Sequence, residues 1–193
     1  MTHWNAAEYL LRYLAKTWNW KLVIHGDVKK SFAQSIKVYV DASFASDKDA
    51  FISVTGFLLL LRGCVMRAYS RRQKHVTSST CESELEALHD GALELLWYKQ
   101  LFMDLHLIDE DFIFTVFEDN QAAIAFGNSS WVKESSKHMA VRYHRVRELV
   151  QENFMELKYI PTNEQLADVL TKNVSIEIFW RIVKQFMGCQ TDV

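Results

Sequence analysis

The pattern of apolar and polar positions predicts a chain that alternates between strands and helices. At 36–43, Val38 and Val40 alternate with other residues in the period-2 pattern of a strand, which ends near Asp41. The apolar runs 55–61 and 64–70 are separated by Arg62 and Gly63, and they predict a hairpin. Three strands joined by such short connections favour an antiparallel meander.

The longest predicted helix begins with capping residues near Ser79 and continues to about residue 106. Steps of three and four residues place Glu84 on the same face as Leu88 and the other apolar positions, so Glu84 is expected to point toward the sheet. Glu82 and Glu86 fall on another face and are interpreted as solvated or capping residues. A buried acid such as Glu84 costs free energy unless a partner or a metal compensates it.

The second half of the chain repeats this arrangement. The β-prone run 112–119 ends at Asp119, and a strand that returns through a long helix is expected to lie parallel to the first, with Asp119 beside Asp41. Further helices are predicted at 121–126, 137–152 and 175–187, a strand at 156–160, and a helix that starts at Glu164 and carries Asp168. An amphipathic helix packed on the body is predicted at 3–16, followed by a strand at 20–26.

Composition indicates one globular unit with a sizeable core. The 193 residues are 49% hydrophobic and 24% charged, with a single proline and no low-complexity linker. No signal peptide or membrane span is predicted, so we expect a protein that is not secreted. The three cysteines form no metal-binding or disulfide pattern, so we expect structural thiols. Because the net charge is only −2, binding to a polyanion would need local basic patches.

Five segments resemble, in order, the ribonuclease H region of copia-like LTR-retrotransposon polyproteins. They are YVDASFASD at 39–47, STCESE at 79–84, EDNQAAI at 118–124, SKHMAVRYH at 136–144 and YIPTNEQLADVLTK at 159–172. The resemblance implies an α/β, ribonuclease H-like fold: a mixed five-stranded sheet, three strands antiparallel and then two parallel, flanked by helices. It also implies that residues 1–35 form a helix and strand extension, similar to the segment joining the polymerase to ribonuclease H, before a ribonuclease H-like domain at 36–193.

The activity implied by the resemblance is hydrolysis of the RNA strand of RNA/DNA hybrids with two bound Mg²⁺ ions, for which Mn²⁺ would substitute. Asp41, Glu84, Asp119 and Asp168 match the catalytic, metal-binding acids, with Asp41 bridging both ions, Glu84 and Asp119 on one, and Asp168 on the other. Glu82 is the alternative ligand within the same motif; the helical face favours Glu84. The loop before Asp168 is too short for the histidine of many cellular ribonucleases H, so no catalytic histidine is predicted.

Two basic runs are candidates for contact with the phosphate backbone of a hybrid. The residues selected from them are Arg71, Arg72, Lys74, Lys137, His138 and Arg142. Trp131 is a candidate for base stacking, whereas Trp97 and Trp180 fit helical patterns and are expected in the core. The reverse-transcriptase region of the same polyprotein is an expected protein partner, no membrane is expected, and the predicted location is the cytoplasm, within virus-like particles, or the nucleus.

Two other functions remain open on sequence alone. The chain is compatible with a domesticated retrotransposon fragment that binds nucleic acid or a protein without cutting, although all four acids are present. An integrase-like core of the same fold is the other alternative, and its spacing of acids fits less well.

Overall fold

The computed structural model describes residues 3–22, 31–46, 50–129 and 137–187, except for the side chains of 137–142 and 186–187. The strands are β1 (Ile36–Ser43), β2 (Val54–Leu61), β3 (Cys64–Arg72), β4 (Phe114–Glu118) and β5 (Met155–Tyr159). The helices are α1 (His3–Thr17), α2 (Thr80–Asp104), α3 (Gln121–Asn128), α4 (Lys137–Gln151), α5 (Asp168–Thr171) and α6 (Ile176–Met187). Two 3₁₀ turns occupy Ala33–Ser35 and Thr162–Glu164.

The five strands form one mixed sheet in the order β3-β2-β1-β4-β5. β1 pairs antiparallel with β2, and β2 with β3, whereas β4 lies parallel to both β1 and β5. The turn between β2 and β3 places Arg62 and Gly63 at φ values of 54° and 78°, a region in which glycine carries no steric cost. The predicted arrangement of three antiparallel strands followed by two parallel strands is confirmed.

Both faces of the sheet are covered, and alternation along β1 shows the two layers. Val38 and Val40 belong to the larger core, which α2, α3 and α4 contribute to on one face. Tyr39 points to the other face, where it stacks on Phe117 at 5.0 Å between ring centroids and packs in a smaller core that includes Ile182 of α6. Because successive side chains in a strand point to opposite faces, residues at the end of β1 can serve either layer.

The sequence correctly predicts the N-terminal helix, but the prediction that this helix packs on the body of the protein is wrong. None of its residues is buried, and Trp4 and Leu11 are among its exposed apolar side chains. A ring contact between Tyr13 and Phe179, at 6.2 Å, joins it to α6. Amphipathic spacing predicts that a helix has an apolar face, but it does not say what covers that face. Residues 20–22 are not a strand, and residues 23–26 of the predicted strand lie outside the described residues.

Two other predictions are corrected. Trp97 is 60% exposed and not in the core, because the buried stripe of α2 runs through Leu95, Tyr98 and Phe102 and leaves Trp97 beside it. Trp180 is half-buried. The single helix predicted from Glu164 is instead a 3₁₀ turn and the separate one-turn α5, since the segment between them is tied to the sheet by a side chain described below.

Two further findings concern the cysteines and membrane insertion. Cys64 is buried, Cys81 is half-buried, and neither forms a disulfide within the described residues. Across the same described ranges, no helix has the length and apolar character that a bilayer crossing requires.

A close approach at Gly56 connects the sheet to α5. A Cβ atom at Gly56 would lie 2.6 Å from Cγ2 of Thr171 and 3.0 Å from the carbonyl oxygen of Ala167. Gly56 also pairs with Asp41 across the β1–β2 ladder. The absence of a side chain at Gly56 therefore lets α5 lie directly over the end of β1.

We expect Gly56→Ala to destabilise the protein by at least about 1 kcal/mol, because overpacking at this position forces α5 away from the sheet. The free energy of unfolding is measured by urea denaturation. Adding Thr171→Ser removes the methyl group that would clash and keeps the hydroxyl, so the double variant should recover part of the stability. Equal destabilisation of the single and double variants would contradict this account.

Candidate active site

The predicted acids meet at the end of the sheet where the parallel strands β1 and β4 finish. Asp41 lies near the end of β1 and is only 1% exposed. Asp119 directly follows β4, which is parallel to β1 in the register Tyr39 opposite Phe117. Carboxyl ends of adjacent parallel strands lie at one edge of the sheet, which is where α/β proteins place their ligands.

The carboxylates form two overlapping clusters. Asp41, Asp119 and Asp168 each offer an oxygen within 4.8 Å of the others, and so do Glu84, Glu118 and Asp119. Asp119 is therefore the member common to both clusters. All four acids predicted from the sequence are present, and the structure adds Glu118. The allocation with Asp41 between two ions stays a prediction.

The start of α2 places Glu84 against the sheet and engages the Glu82 side chain in local hydrogen bonds. The Ser79 hydroxyl accepts the backbone N–H of Glu82 at 3.2 Å, as expected of an N-cap residue. The Glu82 carboxylate accepts the backbone N–H and the hydroxyl of Ser78, both at 2.5 Å. Glu84, one half-turn further, accepts the backbone N–H of Ala42 and has a second buried oxygen, Oε2, without a hydrogen-bond partner.

The predicted capping role of Glu82 agrees with the structure, but Glu86 is not solvated. Its side chain is buried, and an oxygen lies 3.6 Å from Nδ1 of His75. The helix therefore carries acids on more than one buried face. The start of α2 is enclosed by the loop that follows β3 as well as by the sheet, and periodicity alone does not show that second cover.

Gln165 anchors the segment that carries Asp168. Its side-chain amide donates to the carbonyl of Val40 at 2.8 Å and lies 3.5 Å from the carbonyl of Phe117, so it bridges β1 and β4. Its side-chain oxygen accepts the backbone N–H of Ala167 at 3.2 Å. This buried amide fixes the chain three residues before Asp168 and separates α5 from the preceding 3₁₀ turn.

The last residues of this segment place a hydroxyl and a cation against the acids. The Thr171 hydroxyl donates to Oδ2 of Asp41. Nζ of Lys172 lies 2.8 Å from Oδ1 of Asp168 and 4.0 Å from Oδ1 of Asp41. Asp41 and Asp168 thus have a positive partner within the chain, and Lys172 is more than one-third exposed.

Burial and mutual repulsion raise the pKa values of the clustered acids. Burial is the main reason that the pKa of Asp41 rises to about 7, while Lys172 and Thr171 act to lower it. Burial, followed by the charges of Glu118, Asp41 and Asp119, raises the pKa of Glu84 to about 11. The pKa of Glu118 is raised well above its ordinary value by burial. The site without a cation therefore favours protonated acids.

The donor set fits hard divalent cations. Every ligand in the two clusters is a carboxylate oxygen, which Mg²⁺ and Mn²⁺ bind readily. Glu84 and Glu118 each hold one buried oxygen without a hydrogen-bond partner. Buried charges in proteins are paired or coordinate metals, and within the described residues no basic side chain forms an ion pair with either glutamate.

Part of the predicted nucleic-acid surface lies at the same end of the sheet. Ser70 pairs with Gly56, which pairs with Asp41, so the end of β3 is two strands, or about 10 Å, from β1. Arg71 is engaged: its guanidinium lies 4.2 Å from the ring centroid of Tyr69 and 3.5 Å from Glu94. Arg72 and Lys74 are exposed. The side chains of Lys137, His138 and Arg142, and all of Trp131, lie outside the described part.

Sequence reasoning missed three groups near the carboxylates. Glu118 follows Phe114 and Val116 at every second position of β4, so the period-2 pattern already placed it on the buried face. Lys172 follows Asp168 by one helical turn, a spacing that favours ion pairs. The role of Gln165 depends on contacts with residues more than 40 positions away, which no local pattern shows.

Comparison with solved structures defines the class of fold. LC11-RNase H1 in complex with an RNA/DNA hybrid matches with a TM-score of 0.53 at 18% identity, over 70% of this chain and 93% of that chain. At this identity the likeness establishes the fold, and the chain has a ribonuclease H-like fold. No protein-family model matches the chain.

Comparison with curated sequences identifies the relatives. The chain is 34% identical over 190 residues to the retrovirus-related Pol polyprotein from transposon TNT 1-94 of Nicotiana tabacum, covering 98% of the chain and 14% of the polyprotein. It is 33% identical over 174 residues to the Pol polyprotein from transposon RE2 of Arabidopsis thaliana, covering 90% of the chain and 12% of the polyprotein. The resemblance seen in the motifs is confirmed: the chain is homologous to one segment of copia-like retrotransposon Pol polyproteins.

The raised pKa values predict how stability depends on pH. An acid whose pKa is higher in the folded state stabilises the fold while protonated, and that contribution disappears as pH rises through the folded pKa. For Asp41 the decline extends from about 4 to about 7, and for Glu84 it continues toward about 11. In EDTA, the Tm followed by circular dichroism should therefore fall between pH 5 and 9, and Mg²⁺ should reduce this fall.

Asp41→Asn is the informative variant, because it removes the group that titrates near neutrality and keeps the side-chain volume. Its Tm in EDTA should decline less between pH 5 and 7 than that of the unmodified protein. A Tm that rises with pH in EDTA, or the same slope in both proteins, would show that these acids do not govern the stability.

Proposed function

We propose that this chain hydrolyses the RNA strand of RNA/DNA hybrids with the help of divalent metal ions. The observation that carries the proposal is the pair of carboxylate clusters sharing Asp119 at the ends of the parallel strands, with buried oxygens that have no partner. Homology to Pol polyproteins supports it. So does the fold, which resembles an enzyme whose structure was solved with an RNA/DNA hybrid.

Asp41, Glu84, Asp119 and Asp168 are the residues that would hold two Mg²⁺ or Mn²⁺ ions. Two such ions, when bound, activate water and stabilise the attacking and leaving oxygens of a phosphodiester. The protein's own contribution is to place the four carboxylates in advance and to bury most of their surface. Burial makes each charge interaction in the site stronger than it would be in water.

The residues around the acids have positioning roles. Gln165 and Thr171 tie the Asp168 segment to β1, so both sides of the site keep their spacing. Lys172 offsets the repulsion between Asp41 and Asp168. Within the described residues, no histidine belongs to either carboxylate cluster. The absence of a catalytic histidine stays a prediction.

The exposed apolar face of α1 supports a protein partner. Trp4 and Leu11 are 77% and 65% exposed, and leaving such large apolar side chains in water is costly. The relatives are Pol polyproteins far longer than this chain. We therefore propose that α1 packs against the reverse-transcriptase region of the same polyprotein.

Cleavage requires the clustered acids, so Asp119→Asn and Glu84→Gln should lower hybrid cleavage by about 100-fold or more, since even residues that only orient metal ligands contribute about 10- to 100-fold to affinity or activity. The assay measures cleavage of RNA/DNA hybrid, double-stranded RNA and double-stranded DNA with Mg²⁺, Mn²⁺ or EDTA. Cleavage of the hybrid alone, abolished by EDTA, is the expected result.

Glu82→Gln is the matched control on the same helix. It changes a capping residue and should cost about 0.5–2 kcal/mol of stability while hybrid cleavage below the unfolding transition is preserved. Absence of cleavage in Glu82→Gln with normal cleavage in Glu84→Gln would show that Glu82, and not Glu84, is the metal ligand. An unmodified protein that binds hybrid but never cuts it would identify a binding fragment.

The end of β3 is the proposed binding surface for the phosphate backbone. Replacing Arg72 and Lys74 with alanine should lower the slope of log affinity against log salt by about 0.7 to 0.9 for each phosphate that the protein no longer neutralises, without preference for base sequence. Lys16→Ala with Lys184→Ala, exposed on α1 and α6, is the charge-matched control. An equal change in both double variants would mean that only net charge matters.

A further inference from the structure

Glu118 is a fully buried acid that the proposed four-carboxylate site does not use. It is the last residue of β4, with 0% of its surface exposed. Alternation along β4 places it on the same face as Phe114 and Val116, which belong to the core beneath α2. Glu84 enters that layer from α2. The two glutamates therefore approach each other between the helix and the sheet.

The hydrogen bonds of Glu118 satisfy only part of its carboxylate. Oε1 accepts the backbone N–H of Asn120 at 2.9 Å, and a backbone N–H from Asp119 also reaches the group. Oε2 is buried and has no hydrogen-bond partner. Oε2 of Glu84 is in the same state. A partner-free carboxylate oxygen with no access to water is costly, and two of them in one cluster require a shared explanation.

The two sides of the acidic site differ in how their charge is compensated. Asp41 and Asp168 have Lys172 and the Thr171 hydroxyl. Within the ranges that the structure describes, Glu84 and Glu118 have only backbone N–H groups and no ion pair with a basic side chain. Ligand atoms of Glu84, Glu118 and Asp119 lie within 4.8 Å of one another, a spacing that one cation can span.

We propose that Glu118 is a ligand of the ion on the Glu84 side of the site, which makes it a fifth metal-binding carboxylate. This inference rests on the proposed metal-dependent function. A cation at this place contacts the two oxygens that otherwise have no partner. It also explains why a charged residue follows two apolar ones on the buried face of β4. Asn120 then acts as a positioning residue, because its backbone N–H fixes Oε1 and leaves Oε2 for the ion.

The test is a titration of Mn²⁺ without nucleic acid, followed by calorimetry or by the electron paramagnetic resonance signal of free Mn²⁺. Glu118→Gln keeps the volume and the bond from Asn120 but removes the charge, so Mn²⁺ affinity should fall at least about 10-fold. Glu86→Gln is the matched control, since Glu86 is a buried glutamate outside both clusters. Its affinity should equal that of the unmodified protein.

A second measurement separates a ligand from a merely structural residue. In EDTA, Glu118→Gln should change the Tm little, because the site without a cation favours the uncharged, protonated acid, which Gln resembles in size and polarity, while the rise in Tm that Mn²⁺ produces should shrink. A structural role would lower the Tm equally with and without Mn²⁺. Glu118→Asp keeps the charge on a shorter side chain, so it should bind Mn²⁺ better than Glu118→Gln but more weakly than the unmodified protein. If the Gln variant does not fold, the comparison of Glu118→Asp with the unmodified protein preserves the test.

The outcomes distinguish this inference from the proposed function. Unchanged Mn²⁺ affinity in Glu118→Gln, together with abolished affinity in Asp119→Asn, would overturn the role of Glu118 and leave the four-carboxylate site standing. Absence of Mn²⁺ binding by the unmodified protein would overturn both. Weaker binding in Glu118→Gln and Asp119→Asn, but not in Glu86→Gln, supports five carboxylates.

Discussion

The confinement of negative charge at one end of the sheet is the constraint on which the rest of the structure depends. Four of the five clustered carboxylates are at most 6% exposed, and Asp119 is half-buried. This cluster of five carboxylates opposes folding through desolvation and mutual repulsion, as the raised pKa values of Asp41 and Glu84 show. The surrounding fold has to supply enough packing to hold it together. Both hydrophobic layers and the long α2 helix meet that requirement.

The pleat of the sheet divides the acids between two layers. Asp41 points to the face that carries α5, whereas Glu118 and Glu84 lie in the layer between the sheet and α2. Asp119 follows the last residue of β4 and is reached from both sides. A site of this kind needs helices on both faces of the sheet, and it needs a strand that ends where its neighbour ends. The parallel pairing of β1 and β4 provides that alignment.

The sequence predicts most of the sheet because its signals are local. The alternation at Val38 and Val40, and the apolar runs of β2 and β3, leave few other structures open. The helical face of Glu84 could be read in the same way. The predictions for Glu86 and Trp97 are wrong because their burial depends on the neighbours that cover them and not on spacing. Gln165 had no local signal at all, since its partners are carbonyls of β1 and β4.

The anchoring of the Asp168 segment has a consequence for the order of synthesis. β1, α2 and β4 leave the ribosome before Gln165, Thr171 and Lys172 exist, so a growing chain holds Asp41, Glu84 and Asp119 without the amide, hydroxyl and ammonium that tie the last acid to them. The sheet can pair early, but the complete set of acids forms only when the final quarter of the chain docks. A nascent or truncated chain that ends before Gln165 therefore lacks the complete carboxylate cluster, which forms only together with the finished domain.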